Sequence, residues 1–214
     1  MLLKQRCSDA VERFITIEGD PEFFVLLCRN MGQFGDVTPV NALLASERRL
    51  IPSLVKHHRG TAAALGNEMV EAMPLDDLED LKGRAVDVLK VDVDGFDGQV
   101  LEGAKALLAA HQPAVIFEWH PKLIEATGNA PSQPFVALRN AGYARYLWFG
   151  NTGIFSHFSG VPTDLELAKH ARYLLGANAR SDEHFDVIAL PDSLALDEVE
   201  LALMQMAREW RYRR

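Results

Sequence analysis

Short, nearly continuous apolar runs alternate along this chain with stretches whose apolar residues recur every three or four positions. The runs have strand length and the stretches have helical period. The pattern therefore predicts an α/β fold, a mostly parallel sheet flanked by helices. The first run, Phe-Ile-Thr-Ile-Glu at 14–18, is stopped by Gly19-Asp20-Pro21. Proline in a first helical turn gives up no needed amide, so Pro21 opens a helix to residue 31, with Phe24, Leu27 and Cys28 on one face. Residues 2–13 read as the end of an earlier helix, and 37–44 as a strand. The stretch 46–72 contains Pro52, His57, His58, Gly60 and Gly66 and is compatible with a hairpin excursion.

The strongest run, Ala-Val-Asp-Val-Leu-Lys-Val-Asp-Val at 85–93, is rich in β-branched residues. Such a run is expected near the centre of the sheet, buried on both faces. It ends at Asp92-Val93-Asp94-Gly95. Residues 97–110 place Val100, Leu101, Ala104, Leu107 and Leu108 at helical spacing. A buried strand is predicted at 114–118, a helix at 132–141 and strands at 145–149 and 185–190, with one late strand antiparallel. Tyr143, Tyr146, Trp148 and Phe149 read as core. An amphipathic helix at 196–211 closes the pattern, its basic end suited to the helix dipole.

With 214 residues the chain is long enough for one large domain and short for two, so 1–214 is expected to be a single domain. The formal net charge of -8 argues against nonspecific binding to nucleic acid or an anionic membrane, since both need a basic field. Cys7 and Cys28 match no disulfide or metal spacing. No window approaches the ~18 apolar residues of a membrane helix, and the first residues lack the apolar core of a signal peptide. The expectation is a cytoplasmic protein without nucleic-acid or membrane partners. A homo-oligomer stays open.

Three acidic positions fall where strands end: Glu18, the pair Asp92 and Asp94, and Glu118. In an open parallel sheet, ligands bind outside the carboxyl ends of the strands. A carboxylate there offers two oxygens to the two hydroxyls of a ribose, and Glu18 holds the position for it. The alternative for Glu18 is a surface acid capping the helix at Pro21. The run from Asp92 is no calcium loop, because glycine falls fourth and twelfth rather than sixth and no glutamate stands at the twelfth place. Divalent-metal catalysis would need a second cluster of acids, so no metal is expected.

Residues 87–103, DVLKVDVDGFDGQVLEG, resemble the signature of the FkbM family of methyltransferases. Lys90, Asp92, Gly95, Asp97, Val100, Leu101 and Gly103 match it, and Asp94 stands where the family has glutamate. Other stretches agree in order: Glu18-Gly19-Asp20-Pro21, Leu26 to Asn30, Val40-Asn41-Ala42-Leu43, Pro74 to Leu78, and Pro113 to Glu118. The resemblance spans 14–125. It implies a Rossmann-like class I methyltransferase fold and S-adenosylmethionine as cofactor. Glu18 would then contact the ribose, and the backbone at Asn41 and Ala42 the adenine. Asp92, Asp94 and Glu118 would bind the cofactor's ammonium or orient the acceptor, and His120 is the candidate base, its charge changing near neutral pH. His120 also reads as a polar loop histidine before Pro121. The implied reaction is O-methylation of a small-molecule hydroxyl, on a sugar or a secondary metabolite.

The resemblance also calls for an earlier strand and a glycine-rich loop. No glycine precedes Gly19. The first strand is therefore expected to be missing from the sheet, and an N-terminally shortened version of a longer protein is the favoured explanation. A segment supplied by another chain and a noncatalytic cofactor-binding relative are the alternatives. An NAD-dependent oxidoreductase shares the ribose-binding acid, and the Val-Asp-Val-Asp-Gly strand end argues against it.

Overall fold

The computed structural model describes residues 12–56, 62–176 and 183–194. The helix expected at 196–211, all but the last two residues of the one at 2–13, and His57, His58 and Gly60 lie outside them. The chain forms two compact units. One takes the residues up to Ala85 together with Gln99–Ala106, the other Val86–Gly98 and the residues from Leu107.

In the first unit, β1 (Phe14–Glu18) and β2 (Val37–Asn41) pair in parallel, joined through α1 (Pro21–Met31). The helix begins where the sequence predicts because Asp20 caps it. The Asp20 carboxylate accepts the amides of Glu22 and Phe23 at 2.8 and 2.9 Å, satisfying donors a helix start leaves open. The cap at Pro21 is thus Asp20, not Glu18. A second sheet orders β3 (Leu43–Leu44), β5 (Ala62–Met73) and β4 (Arg49–Lys56), with β5 in the middle. β4 and β5 are the antiparallel hairpin foreseen for 46–72, irregular between Pro52 and Leu54. The strand expected over 37–44 is divided at Ala42 into β2 and β3.

The helix expected over 97–110 is broken into α2 (Asp97–Glu102) and α3 (Lys105–His111). Gly103 sits at the break because the backbone comes very close there: a Cβ on it would lie 2.2 Å from the Ala45 carbonyl oxygen. The Gly103 carbonyl accepts the Asp76 amide at 3.0 Å, and the Asp76 carboxylate accepts the Ala106 amide at 2.8 Å. Val100, Leu101 and Ala104 are buried beside this contact. The Val-Leu-x-Gly part of the signature is therefore a packing device.

The second unit is built on a five-stranded sheet in the order β6 (Val88–Val91), β7 (Ala114–Trp119), β10 (Phe185–Leu190), β8 (Arg145–Gly150), β9 (Phe155–Ser159). α4 (Pro121–Ala126), α5 (Gln133–Asn140) and α6 (Asp164–Leu174) complete it. The α/β class holds, but strand direction is mixed. β6 and β7 are parallel, whereas β10 is antiparallel to both β7 and β8, and β9 is antiparallel to β8. The run at 85–93 was expected at the centre of the sheet. Among the described residues β6 pairs with β7 alone, at the end of the row. An apolar run does not specify how many neighbours a strand has, and here Val88 is 57% exposed and Lys90 is exposed, while Val91 is buried.

The core of this unit is aromatic, as the sequence suggested. Phe135 of α5 lies 5.4 Å, between ring centres, from each of Phe117, Tyr146 and Trp148. Tyr143, Tyr146, Trp148 and Phe149 are all buried. Aromatic pairs at these separations add to area burial. They hold β7 and β8 against α5.

Candidate active site

Glu18, Asn41 and Ala42 come together in the first unit, at the carboxyl ends of β1 and β2. Register pairs Glu18 with Asn41. The Asn41 side-chain amide donates to the Glu18 carbonyl at 2.8 Å, and the Ala42 amide reaches the same oxygen at 3.2 Å. One carboxylate oxygen of Glu18, Oε1, accepts the Asp20 amide at 2.8 Å. That bond aims the carboxylate and leaves Oε2 as an acceptor for a hydroxyl. Chemically the group fits a ribose diol, and Asn41 acts here by tying the strand ends.

The second unit brings Asp92, Asp94, Glu118 and His120 to one edge of its sheet. Because β10 runs antiparallel to both β7 and β8, those two strands point the same way, as does β6. Their carboxyl ends, with the start of β10, therefore share an edge. Asp94 and Gly95 form a tight turn there. Both have positive φ, 50° and 95°, and the Phe96 amide returns to the Val93 carbonyl at 3.2 Å. The Gly95 carbonyl accepts the Thr127 hydroxyl at 3.2 Å and the Asn129 amide at 3.0 Å. A Cβ on Gly95 would lie 2.7 Å from the backbone of Leu123. Glycine is required there by close approach to α4 as well as by φ.

Asp92 forms an ion pair with Lys90, both half exposed. Glu118 is more buried, and its Oε2 lies 3.6 Å from Nε2 of His184. Burial raises the Glu118 carboxyl above the ordinary carboxylate range. His184 opposes that shift, while Asp92, Asp94 and Asp186 add to it. His120 is 6% exposed and stands at the N-cap of α4, where its Nδ1 accepts the Leu123 amide at 3.4 Å. In the neutral ring that bond would place the proton on Nε2. Its ring stacks over that of His184 with centres 6.1 Å apart.

Sequence reasoning missed His184. It precedes a strand, and nothing in its neighbours says that this strand pairs with β7 and carries it to Glu118. Asp97 was noted only as a matching position. It is 1% exposed; its Oδ2 accepts the Gly95 amide at 3.3 Å, and its buried Oδ1 has no hydrogen-bond partner among the described residues. Burial, aided by the charges of Glu118 and Asp92, pushes its carboxyl up to about 7.

A raised folded-state pKa makes Asp97 most favourable to the fold below the ordinary carboxylate range. That contribution is lost as pH rises through about 7. Asp97→Asn cannot ionise. The melting temperature of the variant relative to the wild type should climb from about pH 4 to about pH 7 and then level off, reflecting on the order of a few kcal/mol. A difference that stays constant over that range rules the ionisation out.

Among the described residues no three His, Cys, Asp or Glu side chains are grouped to hold a metal ion. No described helix is long and apolar enough to cross a membrane.

Residues 6–144 match the family described as the methyltransferase FkbM domain. No curated protein matches the chain in sequence. A solved structure, the methyltransferase FkbM from Methylobacillus flagellatus KT, is similar at 17% identity and a TM-score of 0.46, covering 68% of this chain. The chain spans 35% of that protein's length. The family match extends over more than half of the chain and includes the carboxylates and the Asp94-Gly95 turn: the chain belongs to the FkbM methyltransferase family.

Proposed function

We propose that the protein transfers a methyl group from S-adenosylmethionine to a hydroxyl of a sugar or secondary metabolite. The observation that carries this reading is the desolvated Glu118 carboxylate beside His184, on an edge where the strands present their carboxyl ends. When bound, the cofactor supplies an electrophilic methyl group and retains the carbon–sulfur electron pair as a neutral thioether. The chain's own part is to orient the acceptor and to take its proton. Glu118 as carboxylate accepts the hydroxyl proton, and the acceptor oxygen forms the new bond to carbon. Asp94 and His120 border the same edge, where His120 donates from Nε2. Asp92 is the candidate for an ammonium, with Lys90 already balancing part of its charge. Orientation supplies much of the rate in such a transfer, which is why buried aromatic packing behind β7 and β8 matters to it.

In the first unit, Glu18 is the proposed ribose ligand, with the backbone of Asn41 and Ala42 towards adenine. Titration calorimetry with S-adenosylmethionine tests this. Glu18→Ala is expected to weaken binding by about 1–3 kcal/mol, the scale for a charged hydrogen bond. Equal affinities for the wild type and the variant remove Glu18 from the site. Isotope-labelled methyl transfer to a panel of hydroxyl compounds tests the reaction itself, and label found on nitrogen or carbon alone overturns the assignment to a hydroxyl.

A further inference from the structure

Beyond the carboxylates, the same edge of the second unit opens into a cleft of about 500 Å³. Its walls come from the turn between β8 and β9, from α6 and from the start of β10, which lie outside the residues matched by the family. His184 lines the cleft, and its Nε2 lies 3.6 Å from Glu118, the proposed proton acceptor.

The chemistry of the walls is specific. Ile154, Phe155 and Tyr173 line the cleft although they are 49%, 39% and 72% exposed. Large apolar groups left open side by side mark a binding surface. Asn151, Thr152 and Ser156 add neutral hydrogen-bonding groups, and no lysine or arginine is among the described lining residues. The two deeper histidines do not supply positive charge. His157 and His170 stack on each other and on Trp148, and burial lowers both below the ordinary histidine value. Glu183 adds a carboxylate to the lining. Among the described lining residues a phosphate would meet the Glu183 carboxylate and no lysine or arginine, with His184 already beside Glu118, whereas a ring with hydroxyls would find apolar walls for its face and neutral groups for its edge.

We propose that this cleft seats the methyl acceptor and that the acceptor is an uncharged hydroxylated ring, not a phosphorylated or nucleotide-linked one. The proposal rests on the methyl-transfer reading above. It makes Tyr173, Phe155 and Ile154 the determinants of acceptor choice.

The test uses saturation-transfer NMR with neutral aryl glycosides and simple phenols, each beside its phosphorylated counterpart. The neutral probes should bind at least about tenfold more tightly than their phosphates, and Tyr173→Ala and Ile154→Asp should each weaken them about tenfold. Both side chains are exposed, so melting temperatures should not change. Calorimetry with S-adenosylmethionine on the same variants separates the two readings. Loss of cofactor binding in the wild-type protein removes the methyltransferase reading. Cofactor binding that is retained, with probes that fail to bind, prefer phosphate or ignore Tyr173→Ala and Ile154→Asp, overturns the cleft alone.

Discussion

Gly95→Ala is expected to destabilise the protein by on the order of 3 kcal/mol or more, the combined scale of strain at a left-handed position and of overpacking. The φ of 95° disfavours any side chain, and the added Cβ would meet Leu123 and Ile124 backbone atoms at 2.7–2.9 Å. Backbone cannot swing aside as a flexible side chain can. Relief would require α4 to move, and with it the cap formed by His120 and the hydrogen bonds from Thr127 and Asn129. Gly83→Ala provides the control. Its φ is also positive, at 68°, but nothing lies within 4 Å of the added atom. It should cost about 1 kcal/mol, from strain alone. Chemical denaturation of both variants measures the difference. Equal losses at the two positions would mean that the approach to Leu123 contributes nothing.

Glu118→Gln is expected to slow methyl transfer by about 10²–10⁴-fold, the usual contribution of a positioned acid or base. Glutamine keeps the shape and a hydrogen-bonding oxygen but cannot accept a proton to become neutral. Cofactor affinity should stay nearly the same. In the wild type the active form is the carboxylate, so the rate should rise as pH climbs through the Glu118 pKa. Burial places that rise above the ordinary carboxylate range. The variant should lose this limb of the profile while folding normally. A rate within a few-fold of wild type, with the limb intact, would transfer the role to His120. That outcome would require the His120 Nδ1 bond to Leu123 to be given up for catalysis.

Much of this was readable from the sequence because it is local. The strand at Phe14–Glu18, the helix opened by Pro21 and the strands at β7, β8 and β10 follow from apolar period and proline position, which neighbouring residues set. The placement of carboxylates at strand ends follows from the same local reading, as does the FkbM signature. The tertiary structure decided what depends on residues far apart in the chain. The signature's Gly103 breaks a helix because Ala45 approaches it, and Gly95 is needed because α4 approaches it. The end position of β6 and the mixed strand directions depend on pairings that no apolar run encodes. His184 reaches Glu118 only because β10 runs antiparallel beside β7, and His120 turns from candidate base to helix cap only once α4 begins at Pro121. Period and composition report how a residue relates to its near neighbours. Charge partnership, desolvation and close backbone contact are fixed by pairing across the chain, and those are what set the protonation of Glu118 and Asp97.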